Sequence, residues 1–356
     1  MEEVKEFASP VAVLEAPVSP QSELQPRPPK DAVTEAPNGE WKKVRKLAVH
    51  QLERFMSLEP KVLRGEDPDA IHDMRVASRR LQQVVELLYP APYSGQVRKQ
   101  RRVIKRSRRL LSEVRNYDVL LENVAAHLAR KRASRREVWT AVEHFLHQRR
   151  LERFEKAARK ISKLNVAGFY LHMKGQLSFN GNKPHLVAQT SGRAGAHEPG
   201  REQFYRRIAE SLERTTKAFE SQIEQTRRDP STPVIHGARI ATKRLRYLIE
   251  VLREFEIAGS NDFLGWLRQL QRLLGGWHDV VVLEEAMIEM VARPEFLRDH
   301  VEMAIEIEKL ILRNRKTRKK LEDKYFLMTL DSPQLGQMKK WIAHLTSSPS
   351  AAFAMA

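Results

Sequence analysis

The sequence predicts an all-α chain built as two similar helical bundles. Three observations carry that prediction. A basic motif recurs about 164 residues after its first appearance, apolar residues repeat at helical spacing, and only 15 Gly and 18 Pro punctuate 356 residues. Seven of those prolines precede residue 40, so the body is depleted in helix breakers, and no stretch of it alternates convincingly with period two.

The repeat is the most informative feature. Ile71-His72-Asp73-Met74-Arg75-Val76-Ala77-Ser78-Arg79-Arg80-Leu81 returns as Ile235-His236-Gly237-Ala238-Arg239-Ile240-Ala241-Thr242-Lys243-Arg244-Leu245. Arg109-Leu110-Leu111-Ser112 aligns with Arg272-Leu273-Leu274-Gly275 at an offset of 163, and Leu52-Glu53-Arg54 with Leu212-Glu213-Arg214 at 160. Arg149, Arg153, Lys156, Arg159 and Lys160 match Lys309, Arg313, Lys316, Lys319 and Lys320, again at 160. Four matches in one order read as a duplication with small changes in loop length.

Residues 1–38 are Pro-rich, without helical or strand period, and are expected to be a disordered tail. The chain opens on Glu2, Glu3 and Glu6 rather than on a basic start and an apolar run, so a cytoplasmic protein is expected. The first repeat is assigned to 39–177, a Gly/Asn/Ser/Pro-rich linker to 178–200, the second repeat to 201–330 and a C-terminal tail to 331–356. In the first repeat helices are expected near 40–58, 68–89, 95–113, 117–132 and 136–163. Their equivalents should begin near 201, 233, 261, 279 and 295.

In the second helix Ile71, Met74, Ser78, Leu81, Val85 and Leu88 share one face, leaving His72, Arg75, Arg79 and Arg80 off it. The counterpart sends Ile235, Ala238, Thr242, Leu245, Ile249 and Leu252 inward and leaves out His236, Arg239, Lys243 and Arg244. Asp67-Pro68 and Asp229-Pro230 precede these helices as start signals. An approximate twofold axis would relate the two short-looped bundles.

Charge narrows the function. The chain has 63 Lys plus Arg against 45 Asp plus Glu, a net +18, and the tail is acidic, so the body carries +22. The third helix holds Arg98, Lys99, Arg101, Arg102, Lys105, Arg106, Arg108 and Arg109 with no acid before Glu113. Such density of like charge is unfavourable unless a polyanion or counterions neutralise it. The absence of cysteine excludes disulfides, thiolate metal sites and cysteine nucleophiles, and no apolar run reaches the roughly 20 residues that span a bilayer.

With His followed three residues later by Arg and then by two basic residues at seven and eight, the motif resembles the signature of the CHAD family, the conserved histidine α-helical domain. Arg115-Asn116-Tyr117-Asp118-Val119-Leu120 is similar to the family's second motif, which has Arg-Asp where this chain has Arg-Asn; His278-Asp279 stands at that place in the second half. The resemblance covers about 40 to 325. It implies two similar bundles around a basic central channel, with inorganic polyphosphate as ligand.

On that reading the ligand is gripped by His72, Arg75, Arg79, Arg80, Lys105, Arg109, Arg115, Arg153, Lys156 and Lys160 of the first half. His236, Arg239, Lys243, Arg244, Arg268, Arg272, His278, Arg313, Lys316 and Lys320 act from the second. No catalytic residue, metal ligand or cofactor is assigned. His-Glu-x-x-His is missing, Asp73 becomes Gly237 in the other copy, and His144 and His147 form an isolated pair. Some relatives carry a triphosphate-hydrolysing tunnel domain marked by Glu-x-Glu-x-Lys; Glu306-Ile307-Glu308-Lys309 is one residue short of it.

The rival reading is a basic helical protein that binds nucleic acid, most readily at low salt, since +22 attracts any phosphate polymer. Near the His/Arg stripes Tyr247 is the one aromatic that could serve as a stacking platform. A structural protein of a polyphosphate storage granule, using the Pro-rich tail or the Trp341 segment as an adaptor, is compatible with the first reading. A membrane partner is not expected.

Overall fold

The computed structural model describes residues 39–65, 67–89, 91–130, 135–178, 201–330 and 332–347. The expected disordered tail and almost all of the expected linker lie outside these residues. Among the described residues every regular element is a helix, so the all-α expectation holds.

The first half contains α1 (Gly39–Arg64), α2 (Pro68–Leu88), α3 (Gly95–Leu128), α4 (Arg136–Ile161) and α5 (Val166–Ser178). The second contains α6 (Arg201–Arg228), α7 (Thr232–Glu254), α8 (Ser260–Val291), α9 (Pro294–Asp299), α10 (Val301–Thr329) and α11 (Pro333–Ser347). The apolar stripes behave as their spacing predicts. Ile71, Met74, Ser78, Leu81, Val85 and Leu88 are buried on α2, as are Ile235, Ala238, Thr242, Leu245, Ile249 and Leu252 on α7.

Asp67 caps α2, its Oδ1 accepting from the backbone N–H of Asp69 and Ala70 at 2.9 and 3.1 Å, with Pro68 in the first turn. Asp229 acts one step earlier. Its carboxylate accepts from the Ser231 N–H at 3.0 Å and the Ser231 hydroxyl at 2.9 Å, and α7 starts at Thr232 with Pro233 in its first turn.

Two expected helix breaks are absent. α3 runs unbroken for 34 residues across the break expected between 113 and 117, and α8 runs for 32 residues through Gly275 and Gly276. Burial overrides the local signals. Val114, Tyr117 and Leu120 are 0–8% exposed along α3, and Trp277 is 1% exposed just past the glycine pair. The expected helix 40–58 extends to Arg64, and 136–163 stops at Ile161. Two helices, α5 and α11, are additional to those the spacing predicts. α11 belongs to the body rather than trailing from it, because Met338, Ile342 and Leu345 join the main core.

The halves share their cores. One cluster draws Leu52, Phe55 and Met74 from the first half and Phe219, Leu245, Leu267 and Tyr325 from the second. A second, smaller cluster joins Tyr117, Leu120, Trp139 and Leu146 to Met287, Ile307 and Leu310. α3 and α8 are long because each passes through both. Contacts between α2 and α7 and between α3 and α8 close the seam between the halves, and the repeated motif lies on that seam.

Candidate functional site

Arg75, Arg79, Arg239 and Lys243 sit off the apolar stripes of α2 and α7, but they do not face open solvent. All four are half-buried, because the face of α2 beside its apolar stripe looks onto α3 and α7. Arg79 Nη1 donates to the Tyr247 hydroxyl of α7 at 3.4 Å, so first- and second-half side chains meet there. On the first-half side Arg75 Nη1 donates to the Arg108 carbonyl at 3.0 Å and to Ser112 Oγ at 2.6 Å, both on α3. On the second-half side the rings of His236 and His278 lie 5.3 Å apart between centroids, with Asp279 next in sequence.

The electrostatics show how tightly these groups converge. Burial lowers the pKa of Lys243 to about 5, and the charges of Arg239, Arg79 and Arg75 press the same way against the opposing pull of Asp279. Burial also takes Arg75 to about 9, helped by Arg79, Arg108, Arg239 and Arg115. Arg239 and Arg108 fall to about 10, burial again being the main cause. His278 drops to about 3 through burial and then Arg239, His236, Lys243 and Arg75. Burial raises the Asp279 carboxyl to about 6 although Arg239, Lys243 and Arg115 stabilise its charge. His72 and His236 are lowered, by burial first and neighbouring cations next. Cations buried side by side, each lowering its neighbours' pKa further, form a site short of anions.

Of the residues expected to bind, His72, Arg75, Arg79, Arg115, His236, Arg239, Lys243 and His278 fall within this centre. Arg115 also pairs with Glu122 at 2.8 Å. Arg80 and Arg244 are exposed on their helices, although the Arg244 charge reaches Arg108. Lys105 and Arg109 are exposed on α3, and Arg268 and Arg272 on α8, Arg268 standing 3.8 Å from Glu250. Lys156 and Lys160 are exposed on α4, and Arg313, Lys316 and Lys320 on α10. These outer stripes are interleaved with acids. Arg153 pairs with Glu113 at 3.1 Å, Arg149 pairs with Glu152 and Glu289, and Lys309 with Glu306 at 2.6 Å.

Sequence reasoning overlooked Arg108, Ser112 and Asp279 as members of the centre. Arg108 stands in the cationic run of the third helix, and its phase, four residues before Ser112, was the available signal. Among the described residues no group of three or more His, Cys, Asp or Glu is placed to hold a metal ion, and no helix is long and apolar enough to cross a membrane.

The fold and the centre define an all-helical domain with a cationic seam contributed by both halves of one chain. The chain belongs to the CHAD domain family, whose model matches residues 46–287. Its fold is similar to the crystal structure of the CHAD domain from the plant Ricinus communis. The TM-score is 0.58 at 20% identity, over 82% of this chain and 91% of that one. No curated protein matches the chain.

Proposed function

We propose that this domain binds inorganic polyphosphate without chemical turnover, through the seam where α2, α3, α7 and α8 meet. The observation that carries the proposal is the cluster of Arg75, Arg79, Arg239 and Lys243, half-buried and contributed by both halves, with Asp279 as the carboxylate acting on Arg239 and Lys243. Arg forks would grip phosphate oxygens two at a time and Lys would act as a point charge. His72, His236 and His278 would become donors once protonated beside the anion. Exposed Lys and Arg on α3, α4, α8 and α10 would lead the polymer inward.

A thin, unbranched polymer suits this placement better than duplex DNA. The cations lie between helices, whereas a duplex presents its phosphates on a wide, stiff cylinder. Tyr247 is 5% exposed and so offers no face to a base. Attachment to polyphosphate-rich granules inside the cell follows if this ligand is the physiological one. The test is binding of long-chain polyphosphate against duplex DNA at equal phosphate concentration and near-physiological salt. Preference for polyphosphate is expected. Equal or tighter binding of DNA would make the seam a general nucleic-acid contact.

A further inference from the structure

Arg75 and Arg239 occupy equal positions of the repeated motif, yet their surroundings differ. Arg75 is engaged: Nη1 donates to the Arg108 carbonyl and to Ser112 Oγ, and Ser112 Oγ itself donates to that carbonyl at 2.9 Å. At the aligned place in α8 the serine is replaced by Gly275. His236 faces His278 across the α7–α8 pair. These are consecutive helices that pack together, as α2 and α3 do, so they run antiparallel. Moving three residues up α7 and three back along α8 brings Arg239 level with Gly275, as Arg75 is level with Ser112.

Two features of that level point to a ligand. Arg239 Nε is buried with no hydrogen-bond acceptor. A Cβ placed on either Gly275 or Gly276 would meet nothing within 4 Å, so the helix surface at these glycines is open. A buried donor without an acceptor is unfavourable, and an open glycine surface lets a bulky anion come close to the backbone.

We infer that the two arginines share the grip unequally: Arg239 meets a phosphoryl group of the bound anion beside the space left by Gly275, while Arg75, tied to α3, serves mainly to hold α2 against α3 and contributes less to the anion. The inference rests on the polyphosphate reading and makes the seam functionally asymmetric. The Arg239 guanidinium has no such bond to α8 and can turn to meet phosphate oxygens, whereas Arg75 is tied to α3 through Nη1. Lys243, His236 and His278 supply further donors on the same side, and Asp279 is the competing carboxylate.

The test is calorimetric binding of inorganic tripolyphosphate and of long-chain polyphosphate to the full chain. Gly275→Ser gives α8 the hydroxyl that holds Arg75 in the first half, and serine is a better helix residue than glycine, so the variant should fold. It should weaken tripolyphosphate binding about tenfold, the worth of about one charge-assisted hydrogen bond, and Arg239→Ala at least as much. Arg75→Ala should lower the thermal midpoint and weaken tripolyphosphate binding clearly less than Arg239→Ala does. Wild-type affinity in Gly275→Ser, or equal losses in Arg75→Ala and Arg239→Ala, would overturn the asymmetry with polyphosphate binding intact. A parent protein that fails to bind either polyphosphate would overturn the reading beneath it.

Discussion

Arg79 of α2 donates from Nη1 to the hydroxyl of Tyr247 on α7 at 3.4 Å, joining positions 168 residues apart at the middle of the seam. The Tyr247 ring also lies 4.3 Å from the Arg246 guanidinium carbon. Burial raises the phenol's pKa, but the charges and hydrogen bonds of Arg79 and Arg246 outweigh it and the net direction is down. The ring therefore acts as an internal strut between cations.

Removing only the hydroxyl should be mild. Tyr247→Phe takes away one long hydrogen bond and should cost up to about 1 kcal/mol in urea unfolding. Tyr247→Ala also empties a buried site and should cost about 3–5 kcal/mol. Similar losses for the two would mean that the hydroxyl, and not the packed ring, holds the seam.

Asp118 and Arg150 form a largely buried ion pair between α3 and α4. Arg150 Nε donates to Asp118 Oδ1 at 2.6 Å, and the Asp118 side chain is 1% exposed. Burial raises the Asp118 carboxyl even though Arg150 stabilises its charge, so desolvation outweighs the pairing. Val281 stands 163 residues later and is also buried. Asp118→Val alone should cost about 3–5 kcal/mol because it strands the guanidinium, and adding Arg150→Met should recover most of that. A double variant no more stable than the single one would show that Arg150 matters mainly through its bond to the Gly65 carbonyl at 3.2 Å.

The second helix and its counterpart were legible because an apolar stripe at helical spacing is a local property, and all twelve expected stripe residues are buried. The continuity of α3 was not, because it depends on Tyr117 and Leu120 packing on α4. α5 and α11 carry readable spacings, Val166–Phe169–Met173–Leu177 and Met338–Ile342–Leu345, hidden beside Gly- and Ser-rich sequence. At the site, the repeated sequence motif revealed which helix faces were basic. It could not reveal that they face each other, nor that replacing Ser112 by Gly275 leaves one arginine engaged and the other without an acceptor. Those are consequences of how α2 lies on α3 and α7 on α8.

Binding should take up protons. Near pH 8 the free seam holds Lys243 and the three histidines largely neutral and Asp279 ionised. As pH falls, Asp279 loses its charge near 6 and Lys243 gains one near 5, so the centre becomes more positive. A polyanion shifts the same equilibria towards protonation. Affinity for long-chain polyphosphate should therefore rise from about pH 8 to about pH 5, with proton uptake measurable by calorimetry in buffers of different ionisation enthalpy. For folding without ligand Lys243 acts in the other direction, because its folded pKa is depressed: the unfolded chain binds that proton first, and stability falls as pH drops from about 10 towards 5. Proton release on binding, or weaker binding at low pH, would contradict the arrangement of charges.

Inner and outer cations should separate in their response to salt. Lys156 and Lys160 are exposed on α4, where a bound phosphate exchanges with counterions already present, so their contribution is counterion release. Lys243 is half-buried among arginines, where salt screens poorly and its donors meet the anion directly. For about six phosphates neutralised, the parent's affinity should fall with a log–log salt slope of roughly four to five in magnitude, taking the single-strand coefficient. Lys156→Ala with Lys160→Ala should reduce that slope by about 0.7 for each phosphate left without its lysine, and the affinity deficit should close as salt rises. Lys243→Met should leave a deficit that persists at high salt, since what it removes is a hydrogen bond to the anion rather than a released ion. A parent slope near one would mean that only a local site is engaged and the outer stripes play no part. Deficits that close equally for both variants would mean that the seam attracts polyanions only as diffuse charge, with no discrete binding at Lys243.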